Sequence, residues 1–364
     1  RSVHRNIPQA HVWCIQKVHV RLTSGMEEMG KMDEKIRLSH GDGGADTQRL
    51  IRNVFYQYFN DSLSNSMLDS FVFEARQSKL AYTTDSFVVK PLFFRGGNIG
   101  KLAVCGTIND LVTAGAIPLF LSAGFIIEEG FSIEKLHLIA KSMSDVCKQT
   151  GAKIVTGDTK VVERGSADGL FINTSGIGMV SEFYNPHQAE PGDEIIITGG
   201  IAEHGISILI DRYDLGIETE LESDCASMFY LINGLEKNLK HVKLMKDPTR
   251  GGIATVLNEI TQGQEMDVEL YEQSIPVKSE VHAINDILGI DTLYHACEGR
   301  MLIVVEKGCG EKVLSHIKAF DNCSEAQIIG RFASGHHGMV YMRTFIGGKR
   351  IIPMLEGQML PRIC

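Results

Sequence analysis

Four aspartates, Asp85, Asp110, Asp158 and Asp247, fall at or near the ends of expected elements and close to glycines. Several carboxylates without a balancing basic cluster suit Mg²⁺, which takes oxygen ligands and keeps waters and substrate phosphates in its shell. The segment Ser39-His40-Gly41-Asp42-Gly43-Gly44 lets backbone approach a polyanion and offers successive N–H groups to it. Lys160, directly after Asp158 and Thr159, is the natural cation for a transferring phosphoryl group. Each of these has an ordinary alternative: an aspartate that caps a turn, a lysine solvated at a strand end. The chain closes on Met359-Leu360-Pro361-Arg362-Ile363-Cys364. Pro361 biases Leu360 toward extended backbone, so the segment reads either as a swinging arm for a thiol-bound group or as an incidental terminal cysteine.

The elements that must position these groups are legible in the apolar spacing. A β-branched and aromatic strand, 82–89, carries Asp85, and the helix expected over 101–116 carries Asn109 and Asp110 inside an apolar stripe. Such a buried polar pair needs a partner, and a metal ion is a good one. Ser132 caps an amphipathic helix that ends at Gly151, and a strand over 152–156 delivers Gly157-Asp158-Thr159-Lys160 at its end. The pattern restarts near Pro191-Gly192-Asp193. Strands are expected over 194–198, 267–270, 301–305, 326–332 and 338–342, and helices over 253–261, 278–288 and 311–320. Interleaved strands and helices in both halves give an α/β or α+β class in two layers. His336-His337 reads as a turn, because neighbours on a strand point to opposite faces.

Composition narrows the partners. With 36 Lys plus Arg against 45 Asp plus Glu and no basic block, nucleic acid is disfavoured. No apolar run reaches the roughly 18 residues of a membrane span. The eight cysteines (Cys14, Cys105, Cys147, Cys225, Cys297, Cys309, Cys323 and Cys364) form no CxxC pair, the usage of a reducing cytosol, so the chain is expected to be cytoplasmic. Residues 1–25 lack an apolar h-region and read as an added extension or a mis-assigned start, with a transit peptide as the weaker alternative. The expected division is an extension over 1–32, an N-terminal domain over 33–190, an α/β domain over 191–344 and a mobile tail over 345–364. There is no P-loop and no dinucleotide fingerprint, so any ATP is bound by another route.

One order of motifs carries a family resemblance: His40-Gly41-Asp42-Gly43-Gly44, Thr84-Asp85-Ser86-Phe87, Gly106-Thr107-Ile108-Asn109-Asp110-Leu111, Thr156-Gly157-Asp158-Thr159-Lys160, Asp247-Pro248-Thr249-Arg250-Gly251-Gly252 and the final Pro361-Arg362-Ile363-Cys364. From about residue 33 to 364 the chain resembles the HypE family of hydrogenase maturation factors, the carbamoyl dehydratases. Several blocks are shared with the wider aminoimidazole ribonucleotide (AIR) synthetase, selenophosphate synthetase and thiamine-monophosphate kinase superfamily. The resemblance implies a two-domain PurM/AIR-synthetase-like fold, homodimers that pair N-terminal sheets, and ATP with Mg²⁺ between the domains. It also implies that the carbamoyltransferase HypF loads Cys364. ATP then phosphorylates the amide oxygen, loss of phosphate leaves a thiocyanate, and the cyanide passes to iron on the HypC–HypD scaffold for [NiFe]-hydrogenase.

Carried over residue by residue, the resemblance makes Asp85, Asp110 and Asp158 the Mg·ATP carboxylates, with Asp247 a fourth. Asn109 and Thr159 join ATP binding, and His40, Gly43 and Gly44 belong to a phosphate-covering loop. Glu298 is the base and Lys160 its electrostatic partner. Cys297 stands where the family commonly has Asn, which puts the local hydrogen bonding in question. Without the resemblance, Glu298 reads as a surface carboxylate beside a strand. Two other functions compete: another ATP enzyme of the same fold, such as a selenophosphate synthetase or small-molecule kinase, and a non-enzymatic thiol carrier gated by ATP. The lack of cysteine between Cys14 and Cys105 argues against a selenophosphate synthetase.

Overall fold

The computed structural model describes residue 39 and residues 44–50, 70–75, 78–213, 215–335 and 337–357, all within the unit Leu38–Cys364. The expected extension, His40, Gly43, His336 and Cys364 lie outside the described residues. After helix α1 (Gly44–Leu50) come strands β1 (Phe71–Ala75) and β2 (Ser78–Phe87), a small hairpin of β3 (Phe93–Phe94) and β4 (Gly97–Asn98), and helix α2 (Ile99–Thr113). Strand β5 (Ala116–Glu128), helix α3 (Ile133–Thr150) and strands β6 (Lys153–Val162) and β7 (Leu170–Val180) complete the first half. Its sheet has the order β1-β2-β7-β5-β6, antiparallel except for the β5–β6 pair.

Local chemistry explains these boundaries. The Asn98 side chain accepts the N–H groups of Gly100 and Lys101 and so starts α2 two residues earlier than the apolar spacing suggested. The helix is buried nearly all round, as a core helix must be. Helix α3 begins at Ser132 and ends at Gly151, whose φ of 76° makes the left-handed cap that glycine tolerates. Strand β5 was not among the expected strands. Pro118 sits at a register shift against β7, where a missing N–H is tolerated. Strand β6 runs on through Val161 and Val162, so Gly157 to Lys160 lie in its body and not at its end. Every residue of β6 but the last is exposed.

The second half orders β8 (Glu194–Ile197), α4 (Glu203–Tyr213), α5 (Tyr230–Leu235), β9 (Val242–Lys246), α6 (Gly252–Thr261), β10 (Met266–Tyr271), α7 (Ser279–Leu288), β11 (Leu302–Val305), α8 (Gly310–Ile317), β12 (Gln327–Ser334), β13 (Val340–Arg343) and β14 (Lys349–Ile351). Its seven strands follow the order β14-β13-β10-β12-β8-β11-β9. The runs Ile195–Ile197 and Leu302–Val305 are buried on both faces, which is why they are apolar without alternation. One core joins the halves: Phe87, Leu102 and Ile108 belong to the same buried cluster as Ile196, Met245 and Ile303. Arg95 adds polar stitches, its backbone N–H and Nε donating to the Asp211 carboxylate and its carbonyl accepting from Ser223.

The first part of the expected mobile tail is packed. Strand β14 pairs with β13, Ile352 and Leu355 are buried, and the Tyr294 hydroxyl donates to the Pro353 carbonyl at 2.7 Å. The Leu355 carbonyl in turn accepts the Ala45 N–H. Apolar side chains at 352 and 355 fasten the chain ten residues beyond the expected start of the arm. No helix among the described residues is long and apolar enough to cross a membrane.

Candidate active site

A cavity of about 260 Å³ opens where α1, β2, α2 and the end of β9 meet, and Asp85, Asp110 and Asp247 all line it. Asp85 projects from the helix-facing side of β2, and its Oδ1 accepts the Ser86 N–H at 2.7 Å. Burial pushes its carboxyl up from the usual range, and the Arg250 guanidinium pulls the other way. Asp110 sits in the last turn of α2, where its Oδ2 accepts the Thr83 hydroxyl at 2.7 Å. Asp247 follows β9 directly and is 9% exposed. Lys246, Arg250 and Glu259 share the cavity, and Gln48 of α1 donates to Glu259.

The turn that presents Arg250 needs two glycines in the left-handed region. Gly251 and Gly252 have φ of 65° and 61°, and a Cβ on Gly252 would meet the Leu293 carbonyl at 2.3 Å. Gly44, at the start of α1, is likewise pressed to the Leu355 carbonyl, which a Cβ would meet at 2.6 Å. The first turn of α1 therefore rests on the fastened C-terminal segment and reaches the cavity through Thr47 and Gln48.

Glu298 is not the surface carboxylate that its sequence neighbourhood suggests. It is 2% exposed, and its Oε1 has no hydrogen-bond partner. Its backbone N–H donates to Asp224 Oδ1 at 3.1 Å. Burial pushes its carboxyl well above the ordinary range, and the thiol of Cys225 and the carboxylates Asp247, Asp224 and Asp85 push the same way. A carboxyl so placed holds its proton tightly and is a strong base once it has lost it. Next to it, the Cys297 Sγ lies 3.5 Å from the Ala202 N–H and 3.8 Å from the His295 carbonyl, so a buried thiol meets the local hydrogen bonds there.

The remaining candidates are placed elsewhere. Asn109 does not open to the cavity: its Oδ1 accepts the Met228 N–H, and its Nδ2 donates to the carbonyls of Ala226 and Glu298. It clamps the two halves together. Asp158, Thr159 and Lys160 lie on the exposed strand β6, with the Lys160 ammonium 2.8 Å from the Asp158 carboxylate. The register Asp85↔Thr174↔Ala123↔Gly157 sets them three strands from Asp85, about 14 Å at the usual strand spacing. Sequence reasoning gave Arg250 no role, although its place before two glycines was visible. Asp224, in an irregular segment, carried no signal. It also lines a second cavity of about 540 Å³ with Lys101, Cys105, Cys225, Tyr230 and Arg300.

Comparison with known proteins fits this geometry. Residues 68–180 match the model of the AIR synthase related protein, N-terminal domain, and residues 190–343 that of the C-terminal domain. The carbamoyl dehydratase HypE of Bradyrhizobium diazoefficiens is 44% identical over 332 residues, 90% of this chain and 96% of that relative. This chain belongs to the HypE family. A HypE solved in a HypE–HypF complex is 44% identical, with a TM-score of 0.79 over 84% of this chain and 99% of that one. A HypE solved in complex with ATP is 37% identical, with a TM-score of 0.76 over 91% and 100%. The two-domain AIR-synthetase-like fold and the family expected from the motifs are thereby borne out.

Proposed function

We propose that this chain is an ATP-dependent carbamoyl dehydratase that converts a thiocarboxamide on its own Cys364 to a thiocyanate, and that the cavity at Asp85, Asp110 and Asp247 receives the ATP phosphates. The observation that carries the reading is the buried Glu298, with an unpartnered carboxyl oxygen and with Asp247 and Asp85 near enough that their carboxylates help to keep it protonated. A solved relative in complex with ATP and another in complex with HypF support ATP as substrate and HypF as the partner that loads the thiol.

Three carboxylates around one cavity suit a hard divalent cation, and Mg²⁺ held by Asp85, Asp110 and Asp247 would neutralise and orient the phosphates. Arg250 adds a fixed positive charge to the phosphate end. The amide oxygen attacks the γ-phosphorus and ADP leaves. Glu298 takes one amide proton, giving a phosphorylated imidate. Loss of the second N–H proton and of phosphate then leaves S–C≡N. The balance is thiocarboxamide plus ATP to thiocyanate, ADP, phosphate and a proton. Burial of Glu298 keeps bulk water from its carboxyl, so the proton it takes is not exchanged freely with solvent.

Lys160, Asp158 and Thr159 enter this scheme through a second copy of the chain. The outer face of the first sheet exposes Tyr82, Phe120, Ile126 and Met179, and β6 leaves an open edge, which supports a homodimer that pairs these sheets. For Lys160 to act at the cavity, β6 of one copy must reach the cavity of the other. The domains divide near residue 190, and the arm that carries Cys364 begins beyond Leu355. The cyanide goes to iron on HypC–HypD in the cytoplasm.

The test is the intact mass of the protein after incubation with HypF, carbamoyl phosphate and ATP. A carbamoyl gain that loses one water only with hydrolysable ATP, and is absent in Cys364→Ala, establishes the reaction. An unmodified Cys364, or water loss without ATP, overturns it.

A further inference from the structure

Strand β9 has chemistry at both ends. At its C-terminal end Asp247 enters the candidate active site. At its N-terminal end, about 20 Å away at the rise of a strand, His241 meets Glu306 and Cys309. His241 Nδ1 and Glu306 Oε2 are 2.9 Å apart, and the donor atoms of all three residues lie within 4.8 Å of one another. The cluster is drawn from three elements: the turn before β9, the residue after β11 and the residue that opens α8.

The backbone beneath it is pinned. The Glu306 N–H donates to the His241 carbonyl, and the Cys309 N–H to the Glu306 carbonyl, each at 2.9 Å. The Glu194 carboxylate accepts the N–H groups of Gly308 and Gly310 at 3.0 and 2.9 Å, and Asp193 accepts that of Lys307. Carboxylates from the start of β8 thus hold the loop on both sides of Cys309, the support that metal-binding side chains need. Imidazole, carboxylate and thiolate together form a borderline-soft donor set. It suits zinc-class ions and is poor for Mg²⁺ or Ca²⁺.

We propose that His241, Glu306 and Cys309 bind one divalent ion of the zinc class, with three protein ligands and a fourth position open to water. Ligand atoms around tetrahedral zinc lie about 3.5 Å apart, so closure needs roughly an ångström of side-chain rotation by the partly exposed Glu306 and Cys309. The site is separate from the ATP chemistry and does not depend on it.

Co²⁺ titration of chelator-treated, reduced, full-length protein tests this. The expected result is one equivalent bound per chain, tetrahedral visible bands, a thiolate-to-cobalt charge-transfer band, and displacement by Zn²⁺. Cys309→Ser loses the charge-transfer band while Cys364→Ala keeps it, and His241→Ala and Glu306→Gln each weaken binding at least tenfold. ATP hydrolysis by Cys309→Ser stays at the parent level, which also shows that the variant is folded. Absence of bound cobalt, retention of the band in Cys309→Ser, or its loss in Cys364→Ala overturns the site. If Cys309→Ser loses ATP hydrolysis, Glu306→Gln decides in its place: unchanged cobalt affinity there overturns the proposal.

Discussion

The Asn109 carboxamide and the Met228 N–H are bonded at 2.8 Å across the junction of the two halves, and the same carboxamide holds the Glu298 carbonyl at 3.4 Å. Asn109→Ala leaves a buried N–H unpaired and removes that support. We expect a loss of about 1–3 kcal/mol in denaturant unfolding. If the cavity at Asp85 holds ATP as proposed, turnover should fall with little change in the KM for ATP, because Asn109 does not line that cavity. A variant with parental stability would show that the clamp is dispensable.

The burial of Glu298 sets the sign of a pH dependence. Its folded-state proton affinity is raised above the ordinary 4.5, so the folded chain keeps a proton that the unfolded chain releases. The associated stability is complete below about 4.5 and drains away as pH rises through the folded value. Glu298→Gln should therefore be no more stable than the parent near pH 4, gain on it toward neutrality, and be inactive throughout. Melting curves that run parallel across this range would contradict the assignment.

His295 runs the opposite way. Burial lowers its pKa to about 4 from 6.5, and its Nε2 pairs with Asn285 Oδ1 at 2.8 Å. The neutral ring contributes stability above 6.5 that is lost as pH falls toward 4, up to about 3 kcal/mol. His295→Gln should flatten the acid limb of a stability profile. Gly205→Ala attacks the same ring sterically, since a Cβ there would meet His295 Nδ1 at 2.5 Å, and its Tm should fall at every pH.

Lys160 and Glu298 can be separated by mixing inactive variants. If β6 serves the partner's cavity, co-refolded Lys160→Ala and Glu298→Gln chains form hybrids with one intact site. About a quarter of parental activity then returns, because half of randomly assembled dimers are hybrids and each has one of two sites. Action within one copy predicts no recovery.

What the sequence made legible was what local rules govern. Helix α3, capped by Ser132 and Gly151, was legible from periodicity, and Asp85, Asp110 and Asp247, which line one cavity, stood out by their glycines and motif order. Strand β5 was missed because Pro118 is tolerated only by virtue of a register shift against β7, a tertiary fact. The burial of Glu298 depends on Asp224 and Asn109, 74 and 189 residues away, so no window of sequence could reveal it. Asn109 looked like a ligand because a polar residue in an apolar helix needs a partner. The partners are backbone groups of the other half.

Leu355, held by burial and by Ala45, fixes the length of a leash. Eight residues lie between it and Cys364, so chain length alone bounds the distance of the thiol from Leu355 at about 30 Å. Confinement on that scale gives a tethered group an effective concentration on the order of millimolar toward its own molecule. If Cys364 reacts in the cavity as proposed, a free peptide that copies the last residues must reach that concentration before it competes, and an inhibitor of the cavity faces the same internal rival.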